Sequence, residues 1–123
     1  MRCAFTYCRR VQYRPFGNTD WQVSEIGFGA WQLGGTWGDV DDSESIDTLL
    51  YAFERGVNFV DTAALYGAGR SETVVGKALK QWSGDRIYVA TKIPPTVWDQ
   101  QEDIDAAMTG RYPIAHVREQ VEA

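Results

Sequence analysis

Asn58-Phe59-Val60-Asp61-Thr62-Ala63-Ala64-Leu65-Tyr66-Gly67, followed further along by Ala90-Thr91-Lys92, is the stretch on which the fold turns. A short apolar run leads into a carboxylate, a tyrosine stands five residues beyond it, and a lysine closes the next apolar run. Two such runs laid side by side as parallel strands open at the same edge. An acid, a phenol and an ammonium then converge there. A phenol held beside a cation can hand a proton to a carbonyl oxygen while hydride arrives at the carbon.

The lysine matters because a free phenol titrates near ~10, too high to exchange protons readily at neutral pH. A unit positive charge at about 4 Å favours the phenolate by roughly 4 kcal/mol at an effective dielectric of about 20. Screening and desolvation reduce that figure, but the direction stands. The carboxylate keeps the lysine charged and oriented. Taken singly, each residue has a plainer explanation. An Asp after a strand is usually a turn or cap, a Tyr beside Gly usually packs with its hydroxyl in water, and a Lys at a strand end is usually solvated. The joint spacing across two strands is what points to a site.

Gly27-Phe28-Gly29-Ala30-Trp31, Asn58-Phe59-Val60-Asp61-Thr62-Ala63, Tyr66-Gly67, Gly69-Arg70-Ser71-Glu72 and Ala90-Thr91-Lys92 together resemble the amino-terminal part of the aldo-keto reductases. The resemblance runs in order from Gln12 to Ala123. It implies an α/β fold, a (β/α)8 TIM barrel using a nicotinamide cofactor, usually NADPH with NADH possible, to reduce aldehydes and ketones. By motif, Asp61, Tyr66 and Lys92 match three of the family's four catalytic residues, with Tyr66 the proton donor. Gly29, Ala30, Trp31 and Asp61 match positions that touch the nicotinamide end of the cofactor. The alternative for the first three is a tight, closely packed strand end. A dinucleotide fingerprint of the Rossmann kind is excluded, because Gln32 stands where its third glycine belongs and the segment opens no helix.

The family's fourth catalytic residue is a histidine at the end of the fourth barrel strand. The only histidine here is His116, in a segment with Pro113 at its first turn and Ile114, Val117 and Val121 at helical spacing. A histidine on a helix is not at a strand's active end, so it is not assigned a catalytic role. A complete barrel of this kind takes about 250 residues, and the chain has 123. The expectation is therefore about three strand-helix units behind an N-terminal β-hairpin: a partial barrel, inactive alone and prone to association through open strand edges. Two rivals stand beside the enzyme. One is a nucleotide-binding regulatory subunit of the same fold, since the family's barrel also serves potassium channels. The other is a remnant without function.

Composition narrows the partners. A hydrophobic content of 44% suits a globular chain. The net charge of −5 and scattered basic residues argue against nucleic acid or an acidic membrane surface. No apolar run approaches a membrane span or a signal-peptide core, so a cytoplasmic setting is the default, with a small carbonyl compound as partner. Cys3 and Cys8 lack a second ligand pair, and no metal is expected. Residues 1–10 match nothing in the family and are expected to be a disordered or misassigned extension preceding the domain at 11–123, with Val11 as an alternative start.

Along the chain, Val11–Arg14 and Trp21–Ser24 around Gly17-Asn18 read as a hairpin that closes the floor of such a barrel. Glu25–Leu33 reads as the first barrel strand and Val57–Asp61 as the second. Ile87–Lys92 reads as the third. A first helix begins at Asp41 with Glu44 three residues on, buries Ile46, Leu49, Leu50 and Phe53, and ends at Gly56. A second is capped by Ser71, buries Val75, Ala78, Leu79 and Trp82, and stops at Gly84. Pro94–Arg111 reads as an extended loop at the active edge, its Trp98 either lining a pocket or exposed.

Overall fold

The computed structural model describes residues 11–35, 38, 40–96 and 111–122. Strands β1 (Tyr13–Pro15) and β2 (Gln22–Ser24) form the antiparallel hairpin, with Tyr13 opposite Ser24. Strands β3 (Phe28–Gly29), β4 (Phe59–Asp61) and β5 (Tyr88–Ala90) form a parallel sheet in that order. Helix α1 (Asp42–Glu54) connects β3 to β4, and α2 (Arg70–Gln81) connects β4 to β5. Helix α3 (Ile114–Glu122) closes the described chain. This is the expected α/β alternation, and the described residues close no barrel. None of their helices is long and apolar enough to cross a membrane. The extension 1–10 with Cys3 and Cys8, and residues 97–110 with Trp98, lie outside the described residues.

The core is the seam between sheet and helices: Leu49 and Phe53 of α1, Val74, Val75 and Ala78 of α2, Val60 of β4, and Ala30 and Leu33 after β3. Leu49 and Val60 are fully enclosed, and burial of such a side chain contributes about 1.5–3 kcal/mol. Helix α1 starts where expected. The Asp41 carboxylate accepts from the Ser43 and Glu44 backbone N–H groups at 2.8 and 3.0 Å, satisfying donors that the helix leaves orphaned. Gly56 leaves the helix at φ +96°, as a left-handed exit requires.

The hairpin sits under the sheet's amino-terminal ends. Tyr13 Oη donates to the Gly56 carbonyl at 2.8 Å, and Asn58 exchanges hydrogen bonds with Ser24 and Gln22. Trp21 stacks on Tyr88 at 4.7 Å, and Phe16 meets Phe59 at 5.6 Å. The opposite, carboxyl-terminal edge of the sheet is left for Asp61 and Lys92.

Several expected boundaries are corrected. The first strand is not Glu25–Leu33. Only Phe28–Gly29 pairs with β4, and Trp31–Gly34 turns into a 3-10 helix. Ala30 is the pivot: its N–H still reaches the Asp61 carbonyl at 2.9 Å, but its own carbonyl is taken by the Ser71 hydroxyl. The second strand starts at Phe59, since the Val57 and Asn58 N–H groups are spent on the Ala52 carbonyl and the Ser24 hydroxyl. The third is Tyr88–Ala90, with Thr91 and Lys92 beyond the ladder. Ser71 does not cap α2. Gly69, at φ +87°, holds that position, and Ser71 falls in the first turn, fully buried. Gly84 does not stop α2 either. The helix ends at Gln81, and a Cβ on Gly84 would sit 2.3 Å from the Trp82 ring, which packs edge-on against Phe53. On α3, Ile114 and Val121 are 74% and 72% exposed, because no described element covers that face. Pro113 stands just before this helix and its carbonyl accepts from Val117.

Two close approaches fix the loop after β4. Gly67 (φ +65°), Ala68 (φ +52°) and Gly69 (φ +87°) are consecutive left-handed residues, a conformation that costs a residue with a Cβ about 1–2 kcal/mol. A Cβ on Gly67 would stand 2.2 Å from the Gly34 carbonyl oxygen, and one on Gly34 would stand 2.6 Å from the Gly67 nitrogen. Backbone thus lies on backbone where the turn after β3 meets the loop after β4. Outside this contact, Asp42 accepts from Arg70 at 2.8 Å and from Lys77 at 3.0 Å, joining the first turn of α1 to α2.

Two predictions come from these contacts. Gly69→Ala meets open space and loses only the left-handed backbone preference, about 1 kcal/mol. Gly67→Ala adds a collision with Gly34 and lowers stability by a clearly larger amount in denaturant titrations; equal losses would refute the packing. The second concerns Asp42, whose carboxyl is held below its ordinary value of 3.8 by hydrogen bonds from Lys77 and then Arg70, with desolvation opposing. A carboxyl lowered on folding stabilises above its unfolded value and loses that contribution as pH falls through the folded one. Asp42→Asn therefore lowers the melting temperature at neutral pH, and the gap to the parent closes only below the ordinary carboxyl range. Equal melting temperatures at neutral pH would contradict the latch.

Candidate functional site

The register of β4 on β5 sets Asp61 opposite Ala90, and the Thr62 N–H continues the pairing to the Ala90 carbonyl at 2.8 Å. Side chains alternate along a strand, so Lys92 leaves on the same side as Ala90. Its ammonium turns back over β4. Nζ lies 2.8 and 2.9 Å from the two Asp61 carboxylate oxygens, 3.0 Å from the Thr62 carbonyl and 3.2 Å from the Tyr66 hydroxyl. It also sits 5.1 Å from the centre of the Tyr66 ring. Asp61, Tyr66 and Lys92, separated in sequence, are brought together.

Proton counting says more. An ammonium has three hydrogens and no lone pair, and here it faces a carboxylate, a carbonyl and a phenol. Lys92 is therefore the donor to Tyr66, and the Tyr66 O–H is left to point elsewhere. The Asp61 hydrogen bond raises the Lys92 pKa above its ordinary 10.5, with Tyr66 adding and desolvation opposing. The ammonium accordingly stays charged throughout the neutral range. Both ends of the ion pair are about half exposed, at 51% for Lys92 and 45% for Asp61, so its worth to stability is small.

The elements behind the trio are tightly built. Tyr66 is held through its backbone: its N–H donates to the Ala63 carbonyl at 3.0 Å and its carbonyl accepts from the Ser71 N–H at 3.1 Å. Trp31 lies over the Tyr66 ring at 5.5 Å and 12°, while remaining 54% exposed. Beside the pair opens a cavity of about 470 Å³ whose wall includes Trp31, Leu65, Tyr66, Lys92, Ile93 and Tyr112. Its lining is largely apolar, with Lys92 and Tyr66 supplying the polar end. Of the other candidates, Gly29 ends β3 beside Asp61 with open space above it. Ala30 is fully buried with both backbone groups engaged, so it supports the site from behind. His116 lies on α3 and its Nε2 stands 2.7 Å from the Pro94 carbonyl. Since a carbonyl only accepts, that nitrogen carries the hydrogen, which ties α3 to the segment bordering the cavity. The stacking of Trp31 on Tyr66 had no signal in the sequence, where Trp31 stood only as a cofactor-contact candidate.

The model for the aldo/keto reductase family matches residues 25–123. The chain is 42% identical over 90 residues to the NADH-specific methylglyoxal reductase of Escherichia coli (strain K12), covering 71% of this chain and 27% of that protein. It is 38% identical over 85 residues to a probable voltage-gated potassium channel subunit beta of Arabidopsis thaliana, covering 68% and 25%. Among solved structures, a glycerol dehydrogenase from Gluconobacter oxydans superimposes with a TM-score of 0.66 at 27% identity, over 90% of this chain and 34% of that one. The chain spans about a quarter of the length of the curated relatives it matches. With the motifs, the strand order and the family match in agreement, this chain belongs to the aldo/keto reductase family.

Proposed function

We propose that this chain carries the proton-donating part of a carbonyl reductase, with β3, β4 and β5 as consecutive staves of a (β/α)8 barrel. The reaction is the reduction of small aldehydes or ketones by NADPH, with NADH as a second possible cofactor, in a cytoplasmic setting without nucleic-acid or membrane partners. One observation carries the reading: Lys92 donates to Tyr66 while Asp61 holds Lys92.

The cavity fits the flat end of such a cofactor and a small substrate, being apolar, walled by the Trp31 indole and open at Tyr66. Gly29, Trp31 and Asp61 would hold the nicotinamide end, backed by Ala30. The bound cofactor supplies the hydride. The chain's own residues supply the rest. Tyr66 gives its hydroxyl proton to the carbonyl oxygen, so that hydride and proton together yield the alcohol. Negative charge then develops on the phenol oxygen, where the Lys92 ammonium already donates and needs no reorganisation. Asp61 keeps that ammonium in place, and Tyr66 regains a proton from solvent.

The test is a chimera in which residues 25–123, the stretch the family model matches, replace the corresponding part of the Escherichia coli relative. The chimera is expected to reduce a reactive aldehyde. Tyr66→Phe lowers kcat by about 10²–10⁴, the usual share of a general acid, and leaves the cofactor Kd nearly unchanged. Lys92→Met also lowers kcat, with Asp61 then lacking its partner. Because the Lys92 pKa is raised above its ordinary 10.5, the lysine stays charged and contributes no loss of rate across the neutral range. Undiminished turnover by Tyr66→Phe would end the proposal. The likeness to the Arabidopsis protein favours one second reading, a nucleotide-binding regulatory subunit, which predicts cofactor binding by the chimera without turnover.

A further inference from the structure

Thr62 follows Asp61 and is 1% exposed, and all three of its polar groups are engaged. Its N–H donates to the Ala90 carbonyl of β5 at 2.8 Å. Its carbonyl accepts from Lys92 Nζ at 3.0 Å. Its hydroxyl meets the Ser71 hydroxyl at 2.9 Å, and Ser71, fully buried, lies 2.7 Å from the Ala30 carbonyl. A carbonyl cannot donate, so the Ser71 hydrogen goes to Ala30 and the Thr62 hydrogen goes to Ser71. The result is a directed chain from β4 through α2 to the end of β3. Meanwhile the Ser71 N–H holds the Tyr66 carbonyl at 3.1 Å.

We propose that Thr62, with Ser71 behind it, is a positioning residue that aims the Thr62 carbonyl at Lys92 and so sets the Lys92–Tyr66 distance. Its value rests on the proton-donor reading above. With its N–H and its side chain both held, the Thr62 Cα is fixed, and only the torsion beyond it is left to the peptide that carries the carbonyl, so that carbonyl is a well-placed acceptor. Lys92 has a flexible four-carbon stem, and half-exposed Asp61 gives it one partner open to solvent. The buried hydroxyl pair supplies the rigid one. Loss of the Ser71 hydroxyl strands the Thr62 hydroxyl in the interior, where an unsatisfied polar group costs about 1–3 kcal/mol. Loss of the Thr62 hydroxyl leaves Ser71 its bond to the Ala30 carbonyl and removes the tie on Thr62. In either case the Thr62 side chain loses its tie to α2, and the residue can turn about its backbone and carry its carbonyl away from Lys92.

Competitive acetylation of the full 123-residue chain reads this without any turnover, so it can fail while the reductase reading survives. The chain has three lysines, Lys77, Lys80 and Lys92. Exposed Lys80 is the reference, and Lys77, bonded to Asp42, reports whether the fold is intact. Thr62→Val keeps shape and removes the hydroxyl, whereas Thr62→Ser removes the methyl and keeps it. Thr62→Val and Ser71→Ala are expected to raise Lys92 labelling relative to Lys80 by about fivefold, the factor that ~1 kcal/mol of hydrogen bonding provides. Lys77 stays at its parent rate and Thr62→Ser matches the parent. Unchanged Lys92 labelling in Thr62→Val and Ser71→Ala overturns the proposal, as does a Thr62→Ser chain as reactive as Thr62→Val. If Lys77 rises as well, that variant has unfolded and the parent and Thr62→Ser decide. Lys92 labelling slower than Lys77 in both supports the proposal, and Lys92 labelling as fast as Lys77 in either defeats it.

Discussion

The structure depends on the register of β4 against β5. With Asp61 opposite Ala90, the residue two beyond Ala90 emerges on the same side, and its ammonium can return to the carboxylate. A slip of one residue would send Lys92 to the other face, leaving Asp61 without its cation and Tyr66 without its donor. The parallel ladder alone is short, three pairs, and it is reinforced at both ends. Tyr88 N–H reaches the Asn58 carbonyl below it and Thr62 N–H reaches the Ala90 carbonyl above. Enclosed Val60 and Leu49 press the sheet on α1, so any slip would also expose core.

Much of this could be read from the chain because it is written in local pattern. The strand-helix alternation, the Asp41 cap, the Gly56 exit and the hairpin each depend on residues near one another. The trio could be read as well, since strand periodicity decides which side chains share an edge. Strand lengths could not. Glu25–Leu33 is apolar enough for a longer strand, but the chain turns at Ala30 because a serine forty-one residues later takes its carbonyl. Ser71 in turn looks like a cap in sequence, since Ser before an apolar run usually is one. It becomes a buried bridge because Gly69 takes the cap position in a left-handed conformation. Sequence pattern carries preferences of segments, while these boundaries are set by partners distant along the chain.

Gly34 and Gly67 show the same dependence at the level of backbone. Neither forms part of the trio, and both are needed to bring the 3-10 turn at Trp31–Gly34 onto the loop that carries Tyr66. That contact brings the Trp31 indole over the Tyr66 ring. Stacked rings give about 0.5–1.5 kcal/mol beyond their buried area, a modest sum. What the stack gives the site is direction, because a ring covered on one face and bonded to Lys92 through its oxygen has few orientations left.

Tyr66 is thus oriented twice, from below by hydrogen bonds and from the side by packing. The loop around it contains Ala68 at φ +52°, a strained choice that persists only where surroundings over-determine it. Here they do: the Gly34 contact precedes it, and the first turn of α2, pinned by Ser71, follows it. Strain of about 1–2 kcal/mol is small beside the burial that anchors α2 through Val74, Val75 and Ala78. The helix can therefore impose a turn that the loop would not adopt alone, and the turn fixes where the phenol stands. Stability supplied by the core is in this way converted into placement of one hydroxyl, at the point where the sheet edge meets the cavity.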